Sequence, residues 1–542
     1  MTHRSIGFAL KVFSVVLCFF CLCWSAARAE TGPDRICARP QEGAVVEEPP
    51  VVASTNGALA VTLKFRSVTE PGGNVRYCYV TEAGLESPTL RVAPGDRLSI
   101  HFQNELPQKD AVASMPGMEM GGDCHGMMTE SATNLHFHGM ALPPQCHQDE
   151  AIHTLIAPGQ AFDYSMQIPG GNPPGLYWYH PHPHGFSTAQ VQGGASGAII
   201  VEGIQAVIPE LKTLPERTFV LRDQLLTPSQ VDNPDPLKPS WDLSLNYVPV
   251  KFPRYVPATI HARPHERQLW RFVNSAANTI IHLQVLYDHV PQTMEVYAVD
   301  GVPMAKGPVA QTSIFLPPGS RSEFVVTTPA LGETAQLVTQ MHDPGPAGDS
   351  APARPIANIV AMKMKEEKVR VVANAKVARL PESLLDLKPV RTRSLYFSQN
   401  GNGTEGGAGA ATKFYLTVVG QPIKEFDMSA PPNIVARQGT VEDWVLANMT
   451  PEDHIFHIHQ VHFQLLEVNG TPVDDPLVRD TILVPHQVGR TPISNIKVRI
   501  DFRDPGIVGT FVYHCHILDH EDKGMMGMIQ ILPAEAGSDV RQ

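Results

Sequence analysis

At 542 residues the chain exceeds what one hydrophobic core supports, so several domains of ordinary size are expected. Its 49 prolines and 42 glycines, with only 18% charged residues, suit many short strands joined by turns and exclude a protein of long surface helices. A net charge of −12 argues against a nucleic-acid partner and does not favour an anionic membrane surface, whereas cationic partners such as metal ions suit it.

The N-terminus reads as an export signal over residues 1–29. Arg4 and Lys11 precede the apolar run VFSVVLCFFCLCW, and Ala27-Arg28-Ala29 supplies the small-x-small pattern before a cut ahead of Glu30. The apolar run is too short to span a bilayer comfortably, so no stable membrane insertion is expected. No twin arginine is present, which points to export as an unfolded chain and metal loading afterwards. Loss of Arg4, Lys11 and Arg28 takes the net charge from −12 to −15. The expected location is periplasmic or secreted.

Three of the eight cysteines, Cys18, Cys21 and Cys23, leave with that signal. The odd remainder, Cys37, Cys78, Cys124, Cys146 and Cys515, suggests one special thiol in an oxidising compartment. Cys515 is the obvious candidate. The other four allow three connectivities, of which Cys37 with Cys78 and Cys124 with Cys146 is the preferred one.

Strand-like runs follow in chain order: RLSIHFQN, ASGAIIVEG, RTFVLRD, RSEFVVTTP, AQLVTQM, FQLLEVNG, IKVRIDF, GTFVYHCHI and MGMIQIL. They are short, rich in β-branched or aromatic residues, and bounded by Pro, Gly, Asn or Asp, so the fold class is all-β. Composition shifts near Gly203 and between Met364 and Phe414, where NGNGTEGGAGA lies, divide the mature chain into domains at 30–204, 205–370 and 371–542. Ahead of the first histidine cluster, MPGMEMGGDCHGMM from Met115 to Met128 concentrates thioethers, which select Cu(I). Its competing reading is a flexible loop pinned by a Cys124–Cys146 disulfide.

Four segments carry the chemistry: His136-Phe137-His138-Gly139, His180-Pro181-His182, His454-Ile455-Phe456-His457-Ile458-His459, and His514-Cys515-His516-Ile517-Leu518-Asp519-His520. On a strand, residues i and i+2 point the same way, so each H-x-H pair presents two imidazoles to one face. Two segments lie in the first third and two in the last, which implies a metal site shared between the first and last domains. In His514-Cys515-His516 the thiol must face away from its neighbours, so one strand joins two metal sites covalently. Cys515, His520, His454 and Met525 form a set of two imidazoles, a thiolate and a weak thioether that suits blue copper; zinc would fit the ligands but has no redox function.

These segments resemble the four copper-binding signatures of the multicopper oxidases, H-x-H-G, H-x-H, H-x-x-H-x-H and H-C-H-x-x-x-H-x-x-x-x-M. The resemblance runs from about Leu59 to the end, and HCHILDHEDKGMM is similar to bacterial laccase-like and cuprous-oxidase members. It implies three cupredoxin-like Greek-key β-sandwich domains, the middle one a spacer, and four copper ions. A type 1 copper would sit on His454, Cys515 and His520 with Met525 axial; a type 2 copper on His136 and His457; and a type 3 pair on His138, His180, His182, His459, His514 and His516. Met526 and Met528 are rival thioethers, and Ile455 stands where the family usually has proline.

The implied reaction couples four one-electron oxidations of a reductant to the reduction of dioxygen to water. The reductant would be a phenol or aromatic amine or, alternatively, Cu(I) or Fe(II) in a copper-tolerance role, and the enzyme a monomer. Non-catalytic structural relatives lack the ligands that are complete here. His520 is the candidate point of electron intake, because its motif leaves the strand towards a loop. Glu521 resembles the carboxylate that serves proton delivery in related enzymes, and Asp149 or Glu150 are weaker candidates. His184 and His462 are read as supporting or surface residues and His147 as a loop residue.

Overall fold

The computed structural model describes residues 37–108, 124–224, 238–365, 383–400, 412–487, 489 and 493–535. The expected export signal lies outside these residues, as do Met115, Met118 and Met120 and most of the Gly-rich NGNGTEGGAGA segment. Each strand-like run read from the sequence contains a strand. The clearest is Arg97–Asn104, whose residues alternate between outward and buried as a strand with one covered face must.

Six sheets pair into three β-sandwiches. In the first, a four-stranded sheet ordered 75–80, 58–69, 97–104, 161–167 faces a five-stranded sheet ordered 51–53, 89–92, 197–201, 175–180, 136–138. Leu63, Phe65 and Tyr79 of one sheet and Leu90, Phe137 and Tyr177 of the other share one core. The second sandwich packs an eight-stranded sheet, centred on 267–274 and 321–327, against a six-stranded sheet around 335–339 and 281–287. Trp270, Phe272, Phe324 and Leu337 fill it. The third pairs a seven-stranded sheet containing 440–448 and 494–502 with a five-stranded sheet ordered 434–437, 526–532, 509–515, 454–458, 481–484. Trp444, Phe456, Phe463 and Tyr513 belong to its core.

The sheets of the three sandwiches span Val51–Val201, Glu216–Ala361 and Arg391–Leu532. One segment departs from the division read in the sequence. Val45 bridges to Thr259 and Val46 is buried in the second core, so the chain ahead of the first sandwich packs on the second.

The first and second sandwiches meet through Leu176, Trp178, Ala198 and Ile200 against Val220 and Val273. Beside them lies a buried ion network. Arg91 pairs with Glu202 at 2.7 Å and Glu216 at 2.6 Å, and Arg271 pairs with Glu216 at 2.8 Å and with Glu323. Glu323 also accepts the Leu176 N–H at 2.7 Å, so the network binds a strand of the first sandwich to one of the second.

Both preferred disulfides are present, Cys37–Cys78 and Cys124–Cys146, and Cys515 is a buried free thiol. Among the described residues no helix is long and apolar enough to cross a membrane.

Candidate metal centres

Two antiparallel pairings assemble the histidines. Strand 136–138 pairs with 175–180, setting His136 opposite His180, and strand 454–458 pairs with 509–515, setting His457 opposite His514. Because the side-chain period is two, His514 and His516 face one side and Cys515 the other, as the sequence implies.

On the Cys515 side, Sγ lies 3.7 Å from His454 Nδ1 and 3.8 Å from His520 Nδ1, and the two Nδ1 atoms are 3.1 Å apart. Met525 is fully buried in the same core as Cys515. Its main chain ties it to the site, the N–H donating to His520 O and the carbonyl accepting the Cys515 N–H, both at 3.0 Å. The rival thioethers Met526 and Met528 pack instead with Ile152 and Val512 in another cluster. The Ile455 N–H points at Cys515 Sγ at 3.5 Å, a contact that a proline there could not make.

The outer nitrogens are also held. His454 Nε2 meets Thr450 Oγ1 at 2.8 Å, and His520 Nε2 lies 3.4 Å from a Glu452 carboxylate oxygen. Phe397 stacks on His454 and Phe414 on His520, at 5.1 and 4.1 Å between ring centroids. Burial works to lower the His520 pKa, but Cys515 and Glu452 outweigh it and push it up to about 10. The sequence reads as leaving the strand towards a loop at His520; the residue lies in a short helix, Leu518–Asp522, and is 6% exposed. That helix docks by its N–H groups on Ala277 and Asn278 of the second sandwich.

The other side carries the remaining eight histidines, all buried. Four come from the first sandwich and four from the third, and rings stack across the boundary: His136 on His459 at 3.8 Å and His138 on His457 at 4.0 Å. Three triples, His136/His457/His459, His136/His138/His180 and His182/His459/His514, each hold their ligand atoms within 4.8 Å of one another. His516 completes the group, 4.9 Å from His138 and 5.8 Å from His180 between centroids.

This donor set fits metal ions. Nε2 of His136, His180 and His457, Nδ1 of His138 and both ring nitrogens of His516 are buried without a hydrogen-bond partner. Such orphans are costly unless something binds them. His514 Nε2 lies 3.2 Å from His459 Nε2 and 3.4 Å from His182 Nε2. Metal–nitrogen bonds of about 2.0 Å in a tetrahedral shell would give a separation of roughly 3.3 Å. Burial and neighbouring imidazoles hold the pKa of His136, His138, His459 and His516 well below the usual range, that of His180 at about 3 and that of His182 at about 4, so these rings are the neutral imidazoles that ligation requires.

The far nitrogens are tied down by acceptors. Asp149 takes the His136 Nδ1 contact at 3.0 Å and is itself held by Phe137 N–H and Gln460 Nε2; the Pro181 carbonyl takes His180 Nδ1 at 2.9 Å. Asp480 lies 3.2 Å from His138 Nε2 through its carboxylate and 2.9 Å from His457 Nδ1 through its carbonyl. Neither Asp480 nor its partner Arg321, which binds it at 2.8 and 2.6 Å, is marked by the sequence pattern. Gly139 of the H-x-H-G motif has a local reason: a Cβ there would fall 2.2 Å from Arg321 Nη2 and 2.5 Å from Asp480 Oδ2.

Of the carboxylates read as proton carriers, Glu521 is fully buried, 3.0 Å from His514 Nδ1 and 3.6 Å from His182 Nε2. Burial raises its pKa, and the imidazoles of His182 and His514 outweigh that and hold it low. Glu150 instead closes its own loop, accepting the N–H groups of Ile152, His153 and Thr154. His184 packs edge-on against Phe426, His462 reaches the Asp300 carbonyl at 3.3 Å, and His147 the Asp163 carbonyl at 2.7 Å.

Sequence profiles of the multicopper oxidase family match residues 125–206, 245–342 and 405–535, one in each sandwich. The chain belongs to the multicopper oxidase family. Its three sandwiches are cupredoxin-like, and the protein is a copper-dependent oxidoreductase that uses dioxygen. Among curated relatives, a rice multicopper oxidase (LPR1 homolog 1, Oryza sativa subsp. japonica) is 24% identical over 513 residues, 83% of each chain. Two solved structures share the fold. A Campylobacter jejuni multicopper oxidase described as a metallo-oxidase has a TM-score of 0.67 at 23% identity, covering 92% of this chain and 96% of that one. A laccase-like multicopper oxidase from Ochrobactrum sp. has a TM-score of 0.62 at 20% identity, covering 90% and 100%.

Proposed function

We propose that this multicopper oxidase draws electrons from a small metal cation, Cu(I) or Fe(II), at His520 and uses them to reduce dioxygen to water at the eight-histidine cluster. His454, Cys515 and His520 with Met525 would hold the type 1 copper. His136 and His457 would hold the type 2 copper, and the other six histidines the type 3 pair, four coppers in all. Copper at these positions supplies one-electron oxidation at the first site and four-electron chemistry at the second.

The chain's own residues supply the rest. Cys515 is bonded directly to His514 and His516, so the path between the two sites is one residue of backbone. Glu521, carried on the same short helix as His520 and buried against His514 and His182, is the carboxylate placed to pass protons inward. Asp149 and Asp480 fix which imidazole nitrogens face the cluster. Export through a cleaved signal would place the reaction in the periplasm or outside the cell.

The observation that carries the choice of reductant is the approach to His520. A cavity of about 30 Å³ reaches it, walled by Glu452, Asp453, Asp349, His342 and Trp241 among others. Occupied ligand pockets for organic molecules run to about 300 Å³ or more, so the space and its carboxylates suit an ion better than a phenol ring. The Campylobacter relative is a metallo-oxidase, while the Ochrobactrum enzyme acts towards lignin model compounds, so relatives of both kinds share this fold.

A reductant panel on copper-loaded enzyme with oxygen uptake as the readout tests the reading. Oxidation of Cu(I) or Fe(II) is expected to exceed that of phenols by more than about tenfold in kcat/KM. Phenols oxidised as well as either ion, without enhancement by Cu(II), would overturn the cation reading and restore the laccase-like one.

A further inference from the structure

The second sandwich contributes none of the candidate ligands, yet it reaches the histidine cluster at two points. Gly319 sits at φ +89°, and a Cβ there would lie 3.0 Å from both His138 Cε1 and His516 Nε2. Two residues on, Arg321 is fully buried and spends its guanidinium on all three sandwiches. Nε donates to Leu176 O of the first at 3.3 Å. Within the second, Nη1 donates to Gly319 O at 3.1 Å and Nη2 to Asp300 O at 2.9 Å. The fork of both closes on Asp480 of the third at 2.8 and 2.6 Å.

Asp480 is over-determined in consequence. Thr481 Oγ1 donates to its carboxylate at 2.7 Å, and Asp300 accepts the N–H groups of both Asp480 and Thr481 at 3.2 Å. Held there, its carboxylate takes His138 Nε2 and its carbonyl takes His457 Nδ1. The nitrogens left without partners are therefore Nδ1 of His138 and Nε2 of His457. An imidazole ligates through whichever nitrogen its other hydrogen bond leaves free. A buried carboxylate keeps its charge and direction only while its cation is present.

We propose that Arg321 is a positioning residue for the metal cluster: acting through Asp480, it fixes which nitrogen of His138 and of His457 faces the cluster, so the ligand-free second sandwich controls metal loading. The proposal rests on reading the eight histidines as a copper cluster. Arg321 is needed in the buried gap between the sandwiches because it is the group that neutralises Asp480 where His138 and His457 converge. The middle sandwich is then more than the spacer that its lack of ligand motifs suggests.

The test uses the full chain loaded with Cu(II), with copper per chain, electron paramagnetic resonance and chelator competition as readouts. Arg321→Gln removes the cation and leaves Asp480 uncompensated. Because that change threatens folding, the double variant Arg321→Gln/Asp480→Asn, which removes both charges together, carries the measurement, and Arg321→Lys tests rescue by charge without the fork. In the double variant the Cys515 site is expected to keep its copper. The cluster is expected to lose affinity by about tenfold or more, with altered hyperfine structure in its paramagnetic copper, and Arg321→Lys to fall between it and wild type. A double variant with the wild-type copper count and spectrum but a lowered Tm would show that the pair only docks the sandwiches, and would overturn the proposal. Failure of the underlying reading looks different: the wild-type chain itself would then take up no cluster copper.

Discussion

The Cys515 pocket and the eight-histidine cluster share a strand but are built in opposite ways. The candidate ligands of the first, His454, Cys515, His520 and Met525, and the residues that hold their rings, Phe397, Phe414, Thr450 and Glu452, belong to the third sandwich, and the second only walls the approach to His520. The cluster takes half its imidazoles from the first sandwich and half from the third, and its fixing charge from the second. A pocket within one sandwich exists once that sandwich folds, whereas the cluster exists only when three sandwiches are docked. Loss of docking should therefore empty the cluster and spare the pocket.

The largest expected effect follows from cutting the buried ion network between the first two sandwiches. Arg271→Met strands Glu323 without its cation and leaves Glu216 only Arg91, a change that costs about 3–5 kcal/mol when a buried pair is broken. Copper should then leave the cluster at lower denaturant than it leaves the Cys515 site, as followed by metal release and absorption. Simultaneous loss from both sites would break the comparison.

Acid should act on the same boundary. Burial raises the Glu216 pKa, but Arg271 and Arg91 outweigh it and bring it down to about 2. A carboxylate with a lowered folded-state pKa stabilises the fold above its unfolded value and loses that contribution as pH falls through the folded one. Glu216→Gln is therefore expected to remove on the order of 2 kcal/mol of stability at neutral pH and to flatten the stability profile between about pH 4.5 and pH 2. An unaltered profile in urea titrations would contradict the assignment.

Two smaller effects should stay within the Cys515 pocket. Glu452→Gln is expected to raise KM for Fe(II) or Cu(I) about tenfold, roughly 1.4 kcal/mol, while leaving cluster copper and phenol kinetics unchanged. Ile455→Pro removes the N–H aimed at Cys515 Sγ, and since hydrogen bonds to that sulfur tune the potential, the reduction potential of this site should fall. An unchanged potential would mean the 3.5 Å contact has no electronic role.

Legibility in the sequence followed the same division. Period-two spacing in His136-x-His138 and His514-Cys515-His516 specifies which side chains share a face, so the strands and both candidate ligand sets could be read locally. Met525 required the family spacing, and it packs in the core that holds Cys515 while Met526 and Met528 pack in another cluster. Asp480 and Arg321 could not be found this way. They lie 159 residues apart in different sandwiches, and nothing in VRDTILVP or RSEFVVT distinguishes them from ordinary strand-end charges until the sandwiches dock. Glu150, next to Asp149 in sequence, closes a loop because its carboxylate is used up by three following N–H groups. The short helix at His520 was obscured by the strand that precedes it.

The most direct test is a copper count on the wild-type chain and on Cys515→Ser, taken together with the paramagnetic and optical signals of each. Independent construction of the two sites requires four coppers in the wild type. It also requires loss of one, with its thiolate colour, in the variant, while the cluster copper and its resonance signal stay unchanged. A Cys515→Ser chain that also loses its cluster copper, or a wild type that binds fewer than four, would contradict it.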